Sequence, residues 1–106
     1  MGTRQKAESQ KIEHTCMEIT HIGHHSRGPL PWEQMKVVLD WGGYRIEWWG
    51  DKAEQAVCEL NLREGEWVRI QRAWINITPH ANKPGEYGRT LRNVTITRIA
   101  DSVRVH

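Results

Sequence analysis

Phenylalanine is absent from this 106-residue chain, and cysteine occurs only at Cys16 and Cys58. Two cysteines so placed make neither a disulfide framework nor a CxxC zinc site, so they read as reduced, mostly buried thiols. No apolar run is long enough to span a bilayer, and no signal-peptide core is present. The expectation is a soluble intracellular protein, nuclear or cytoplasmic, with no membrane partner. Charge of one sign is also scarce, with fifteen Lys and Arg against thirteen Asp and Glu. The excess is mostly arginine, whose planar fork matches phosphate; it permits an anionic partner without requiring one. A catalytic set is missing too. There is no nucleophile with a base at readable spacing, no glycine-rich phosphate loop before a helix, and no carboxylate cluster. Neither enzymatic activity nor a cofactor is expected. His14, His21, His24 and His25 gather near Cys16, but they do not form two ligand pairs at zinc spacing, so no metal is expected either.

What the chain has in place of phenylalanine is tryptophan, six of them. Indole is seldom buried whole, because its N–H needs a partner, so some of these rings should reach the surface. The densest stretch is Trp41 to Trp49, WGGYRIEWW. Gly42 and Gly43 supply a tight hairpin turn between two alternating runs. Adjacent strand residues point to opposite faces. Tyr44, Ile46 and Trp48 therefore share the core or rim side, and Arg45, Glu47 and Trp49 the outer one. Trp41, at the hairpin tip, has no assignment.

Residues 1 to 11 are polar and aperiodic and read as a flexible arm before a single domain over residues 12 to 106. A first strand is expected from Ile12 to Ile22, with Thr15, Met17 and Ile19 on one face and Cys16, Glu18 and Thr20 on the other, and a bend or bulge at Gly23. His24 to Pro31 reads as a loop. The second strand runs from about Trp32 to Asp40, with Met35, Val37 and Leu39 inward, and the third from Tyr44 to Trp49. Asp51 and Glu54 have capping-box spacing ahead of Ala53, Ala56, Val57 and Leu60, which predicts one short amphipathic helix. A turn centred on Gly65 leads to a fourth strand, Trp67 to about Ile77. Val68 and Ile70 are out of phase with Ala73 and Ile75, which predicts a bulge near Arg72 and Ala73. Thr78 to Gly88 reads as a long exposed loop, and the last strand as Arg89 to about Ile99, with Val103 and Val105 as a further extended piece.

Three strands, a helix and two strands give an all-β fold: a five-stranded OB-fold Greek-key barrel with one short helix between strands 3 and 4. Such barrels bind oligonucleotides on the strand 2–3 face, between the first and fourth interstrand loops. The segments YRIEWWGDKAE, LREGEWVRIQRAWIN and GRTLRNVTITRIADSV together resemble the single-stranded DNA-binding OB-domains of replication protein A and of telomere end-protection proteins. The resemblance spans roughly residues 15 to 100. It implies that the aromatic ending strand 3, here Trp49, points outward and stacks on a base. It further implies a nuclear protein of telomere protection, replication or DNA repair, with single-stranded DNA as partner, RNA as the other strand type, and other subunits of such assemblies as further partners.

The candidate contacts follow from the outward positions. Trp49 is the stacking platform. Arg45 and Lys36 reach for phosphates, although either could equally belong to a solvated charged face. Glu47 weakens phosphate affinity locally or accepts from a base edge. Trp67 and Arg69 face out if Val68 and Ile70 are core, and Trp74 depends on the bulge. Trp32 in the first loop, and His80, Lys83 and Tyr87 in the long one, stand where these barrels clamp a strand. His25 is placed to stack on or bond a base. The other reading is an assembly module, in which exposed tryptophans and Val38 pack against a partner protein.

Overall fold

The computed structural model describes residues 8–80 and 82–99. Its elements are β1 (Glu8–Ser26), β2 (Glu33–Trp41), β3 (Tyr44–Trp49), α1 (Asp51–Leu60), β4 (Trp67–Pro79) and β5 (Tyr87–Arg98). The strands close into a barrel in the order β1-β2-β3-β5-β4, with β4 pairing back onto β1. Every junction is antiparallel except β3 with β5, which meet in parallel at Glu47 and Thr90. A parallel neighbour needs a long return, and α1 with β4 supplies it. The outcome is an all-β barrel of OB-like architecture with its one short helix between β3 and β4.

Alternation decides the interior. Met17, Ile19, Val37, Leu39, Ile46, Val68, Ile70 and Ile75 are fully buried. Each contributes about 1.5–3 kcal/mol relative to an exposed side chain. Trp48 joins them at 4 % exposure, so the two faces of β3 separate the adjacent indoles as the period of two requires. α1 packs on β2, β3 and β5, inserting Ala53, with Ala56, Val57 and Leu60 partly buried behind it. Gly42 and Gly43 have φ of 58° and 90°, the left-handed pair that a two-residue hairpin needs between Trp41 and Tyr44. β4 shifts register against β5 on both sides of Arg72, where the phase change in its sequence places a bulge.

Several local expectations need correction. β1 starts at Glu8, inside the segment expected to be an arm, and pairs Glu8 to Lys11 with Ile77 to Trp74. Backbone pairing along a long β4 needs no apolar side chain, so polarity concealed it. Residues 1–7, Val103 and Val105 lie outside the described residues. At its other end β1 continues to Ser26, and Gly23 pairs regularly with Lys36; the bulge falls between Ile19 and His21. Asp51 is not the helix cap. Gly50 is, with φ 106° and ψ −166°, no side chain caps the helix, and Asp51 and Glu54 occupy its first turn. There they complement the positive end of the helix. The Gly50 N–H is already committed to the Met35 carbonyl at 3.0 Å. This tie to β2 leaves no spare residue between strand and helix. Both cysteines are free and exposed, Cys16 on the outer face of β1 and Cys58 on α1, because their neighbours in phase with the core bury instead.

Candidate nucleic-acid interface

β3 presents Arg45, Glu47 and Trp49 on its outer face, two residues apart and therefore in line. Glu47 is their common partner. The Trp49 Nε1–H donates to its Oε1 at 2.8 Å. Its Oε2 meets the Arg45 guanidinium at 3.2 Å and Lys36 Nζ, from β2, at 3.7 Å. One carboxylate thus orients the indole and gathers two cations, which leaves it engaged within the barrel rather than free for a base edge. Trp49 is half-buried, and its ring is attended by Lys36 Nζ at 5.1 Å and by the Arg27 guanidinium at 5.3 Å from the centroid. Arg27 stands in the β1–β2 loop, so that loop reaches the end of β3.

From Glu47 the surface descends into a groove of about 610 Å³ between the β2–β3 hairpin and the β4–β5 loop. Tyr44, Arg45 and Glu47 line one side, and His80, Lys83, Tyr87, Arg89 and Thr90 the other. The parallel β3–β5 contact makes this groove, because it brings the start of β5 beside the hairpin. Arg89 lies over the Tyr44 ring at 4.3 Å, a cation on an aromatic face. Lys83 makes a 4.0 Å ion pair with Glu86, both side chains well exposed. The loop itself is a compact turn, with the His80 N–H donating to the Glu86 carbonyl at 3.0 Å.

The structure therefore brings Trp49, Arg45, Lys36, Glu47, His80, Lys83 and Tyr87 onto one continuous surface. Tyr87 sits at the first position of β5, not in the loop, since Pro79 and Tyr87 still pair. Trp32 is exposed in the β1–β2 loop, just before β2. His25 is not a loop residue but part of β1, and its Nε2 lies 2.7 Å from that of His21, so its polar edge already has a partner. Trp67, Arg69 and Trp74 are all exposed on β4, which β1 and β5 separate from β2 and β3, so they belong to a different face. Val38, expected to be partner surface under the assembly reading, is only 6 % exposed. Its carbonyl accepts from the Thr20 hydroxyl of β1 at 3.2 Å.

Three contributors escaped the sequence reading. Tyr44 alternates with Ile46 and Trp48 but is 53 % exposed, because it lies beyond the core at the hairpin tip. Arg89 gains meaning only from the β3–β5 contact. Arg27, in the first loop, carries no local signal beyond its charge. Among the described residues no three His, Cys, Asp or Glu side chains converge as metal ligands, and no helix is long and apolar enough to cross a membrane. No protein-family model matches the chain, and no curated protein or solved structure matches it either.

Proposed function

We propose that this protein binds single-stranded nucleic acid, DNA in the first instance, along the β2–β3 face. The observation that carries the reading is the groove between the hairpin and the β4–β5 loop, which continues at Glu47 toward the Trp49 ring. Cations and rings alternate along it: Arg27 and Lys36 around Trp49, then Arg45, then Tyr44 with Arg89, then Lys83 and Tyr87. A polyanion whose rings can stack uses both kinds of group, whereas a duplex would hide its base faces. In this role a base stacks on Trp49, and Arg27 moves from the ring to a phosphate. Tyr44 and Tyr87 are offered to later bases.

The resemblance of the β3, β4 and β5 segments to replication protein A and telomere end-protection domains supports a nuclear role in end protection, replication or repair. The test is titration of the protein with repeated short DNA and RNA oligonucleotides, read by intrinsic tryptophan fluorescence and by anisotropy of a labelled strand. Quenching at micromolar protein is expected. Because few cations line the surface and Glu47 offsets two of them, the salt dependence should correspond to about 2–4 phosphates, at about 0.7 per phosphate. Trp49→Ala should lower affinity about tenfold, the value of one stacked base. Unchanged fluorescence and anisotropy with every strand would sink the proposal, and self-association without oligonucleotide binding would favour the assembly module.

A further inference from the structure

Trp67 and Trp74 lie an odd number of residues apart on β4, so an unbroken strand would send them to opposite faces. Both stand outside, 51 % and 36 % exposed. The barrel achieves this through a phase change at one level of three adjacent strands. β4 shifts register on both sides of Arg72, and the left-handed residues His14 of β1 and Asn93 of β5 have φ of 51° and 52°. On one side of that level Val68 and Ile70 face inward, and on the other Ala73 and Ile75 do. The consecutive residues Gln71 and Arg72 are both exposed there. Irregularities of this kind re-aim side chains.

What they aim outward is basic and aromatic. Trp74 stands in a cross-strand row between Lys11 of β1 and Arg92 of β5. Arg72 lies between Glu13 and Thr95, and Arg69 between Cys16 and Thr97. Arg69, Arg72 and Arg92 are exposed, and among the described residues none of them has an ion-pair partner. Glu13 is engaged with Lys11 at 3.8 Å, and Glu18 lies across from Trp67. An apolar partner would bury three uncompensated guanidiniums at heavy cost. A polyanion with stackable rings satisfies both the arginines and the indoles.

We propose that this outer face of β1, β4 and β5 is a second contact surface for the same single strand, taking it up where it leaves the groove. The inference rests on the groove reading and extends its footprint. Continuity comes from β4 and β5 themselves, which carry the face and also the His80–Glu86 loop at the groove's edge. From Trp74 to Pro79 the strand advances only about 16 Å, at about 3.3 Å per residue.

The test uses the full chain and labelled oligothymidylates of about 4 to 16 nucleotides, the span of OB-barrel site sizes. Affinity should climb along the series beyond the statistical gain from extra registers. Trp67→Ala with Trp74→Ala should remove about tenfold or more from the longest strand and leave the shortest unchanged. Arg72→Gln with Arg92→Gln should lower the salt slope by about 0.7 for each phosphate no longer neutralised, on long strands only. The arginine pair carries the test if the tryptophan pair disturbs folding, which circular dichroism reports. A plateau at the shortest bound length, or equal losses at all lengths, overturns the second surface and leaves the groove standing. If Arg45→Gln with Tyr87→Ala spares binding while the β4 variants abolish it, the groove reading falls, and with it the role of this face as a second surface. Absence of binding at every length overturns both, and capture of a poly-glutamate peptide together with a short-strand plateau assigns the face to an acidic protein.

Discussion

Glu47 holds Trp49 by a 2.8 Å bond from the indole Nε1–H, across two residues of one strand face. The same carboxylate restrains Arg45 and Lys36, so it acts both as an orienting group and as a brake on phosphate affinity.

These two roles separate by substitution. Glu47→Gln keeps an oxygen for the indole and removes the negative charge, so oligonucleotide affinity should rise several-fold. The salt slope should steepen by about 0.7 for each further phosphate engaged. Glu47→Ala also frees the cations but loses the indole's anchor, and should bind less well than Glu47→Gln. Stability should change by about 1 kcal/mol or less, as these pairs are partly exposed. Salt-dependent anisotropy of both variants decides the matter, and weaker binding by Glu47→Gln would show that Glu47 itself contacts a base.

Tyr44 and Arg89 meet from the two sides of the groove, 4.3 Å from guanidinium to ring centroid. Tyr44→Ala should lower oligonucleotide affinity about tenfold if a base stacks there. Arg89→Gln should lower it less and reduce the salt slope. Neither the exposed Tyr44 nor the half-buried Arg89 should move stability by more than about 1 kcal/mol on substitution. Thermal unfolding beside the binding titration checks that the two effects are independent.

Gly50 turns the chain from β3 into α1 at φ 106° and ψ −166°. A Cβ there would meet nothing within 4 Å, so Gly50→Ala isolates backbone strain from crowding. That conformation is almost closed to other residues, and the substitution should cost about 1–3 kcal/mol. Denaturant unfolding with an unchanged m-value and a lower midpoint is the expected result.

Glu66 ties three segments together. Its carboxylate accepts from the Arg63 backbone N–H at 2.9 Å and from Arg98 Nε at 2.7 Å, and its carbonyl accepts from the Ile19 N–H at 2.8 Å. Its side chain is 13 % exposed, so the charge-assisted bonds are poorly screened. Glu66→Ala should destabilise the barrel by about 1.5–3 kcal/mol, whereas its backbone bond to β1 survives. Hydrogen exchange at Ile19 should therefore change less than the global midpoint.

The fold was legible because its signals are local. The period of two separated Trp48 from Trp49, the phase break between Ile70 and Ala73 located a bulge, and two glycines marked the hairpin. The candidate surface was legible where it follows from the same alternation, at Arg45, Glu47, Trp49 and Lys36, and in the glycine- and proline-rich stretch that carries His80, Lys83 and Tyr87. Tyr44 and Arg89 were missed because their proximity depends on β3 meeting β5, strands separated in sequence by a helix and another strand. Trp67 and Arg69 face outward as the alternation with Val68 and Ile70 requires, and the bulge settles Trp74 outward too, but facing out does not say which way out: all three stand on β4, away from the β2–β3 face. His25 was expected in a loop because glycine and proline follow it, whereas pairing with β2 carries β1 on to Ser26.

The barrel is joined between β3 and β5 by one paired position, Glu47 with Thr90, whereas its other seams run for many residues. That lightly stitched seam runs beneath the groove. A strand lying across Tyr44 and Arg89 would act as a suture over it, so ligand and fold would share one equilibrium. Occupancy at a hundred times Kd would raise apparent stability by about 2.7 kcal/mol. The first amides to gain protection should be those of the seam.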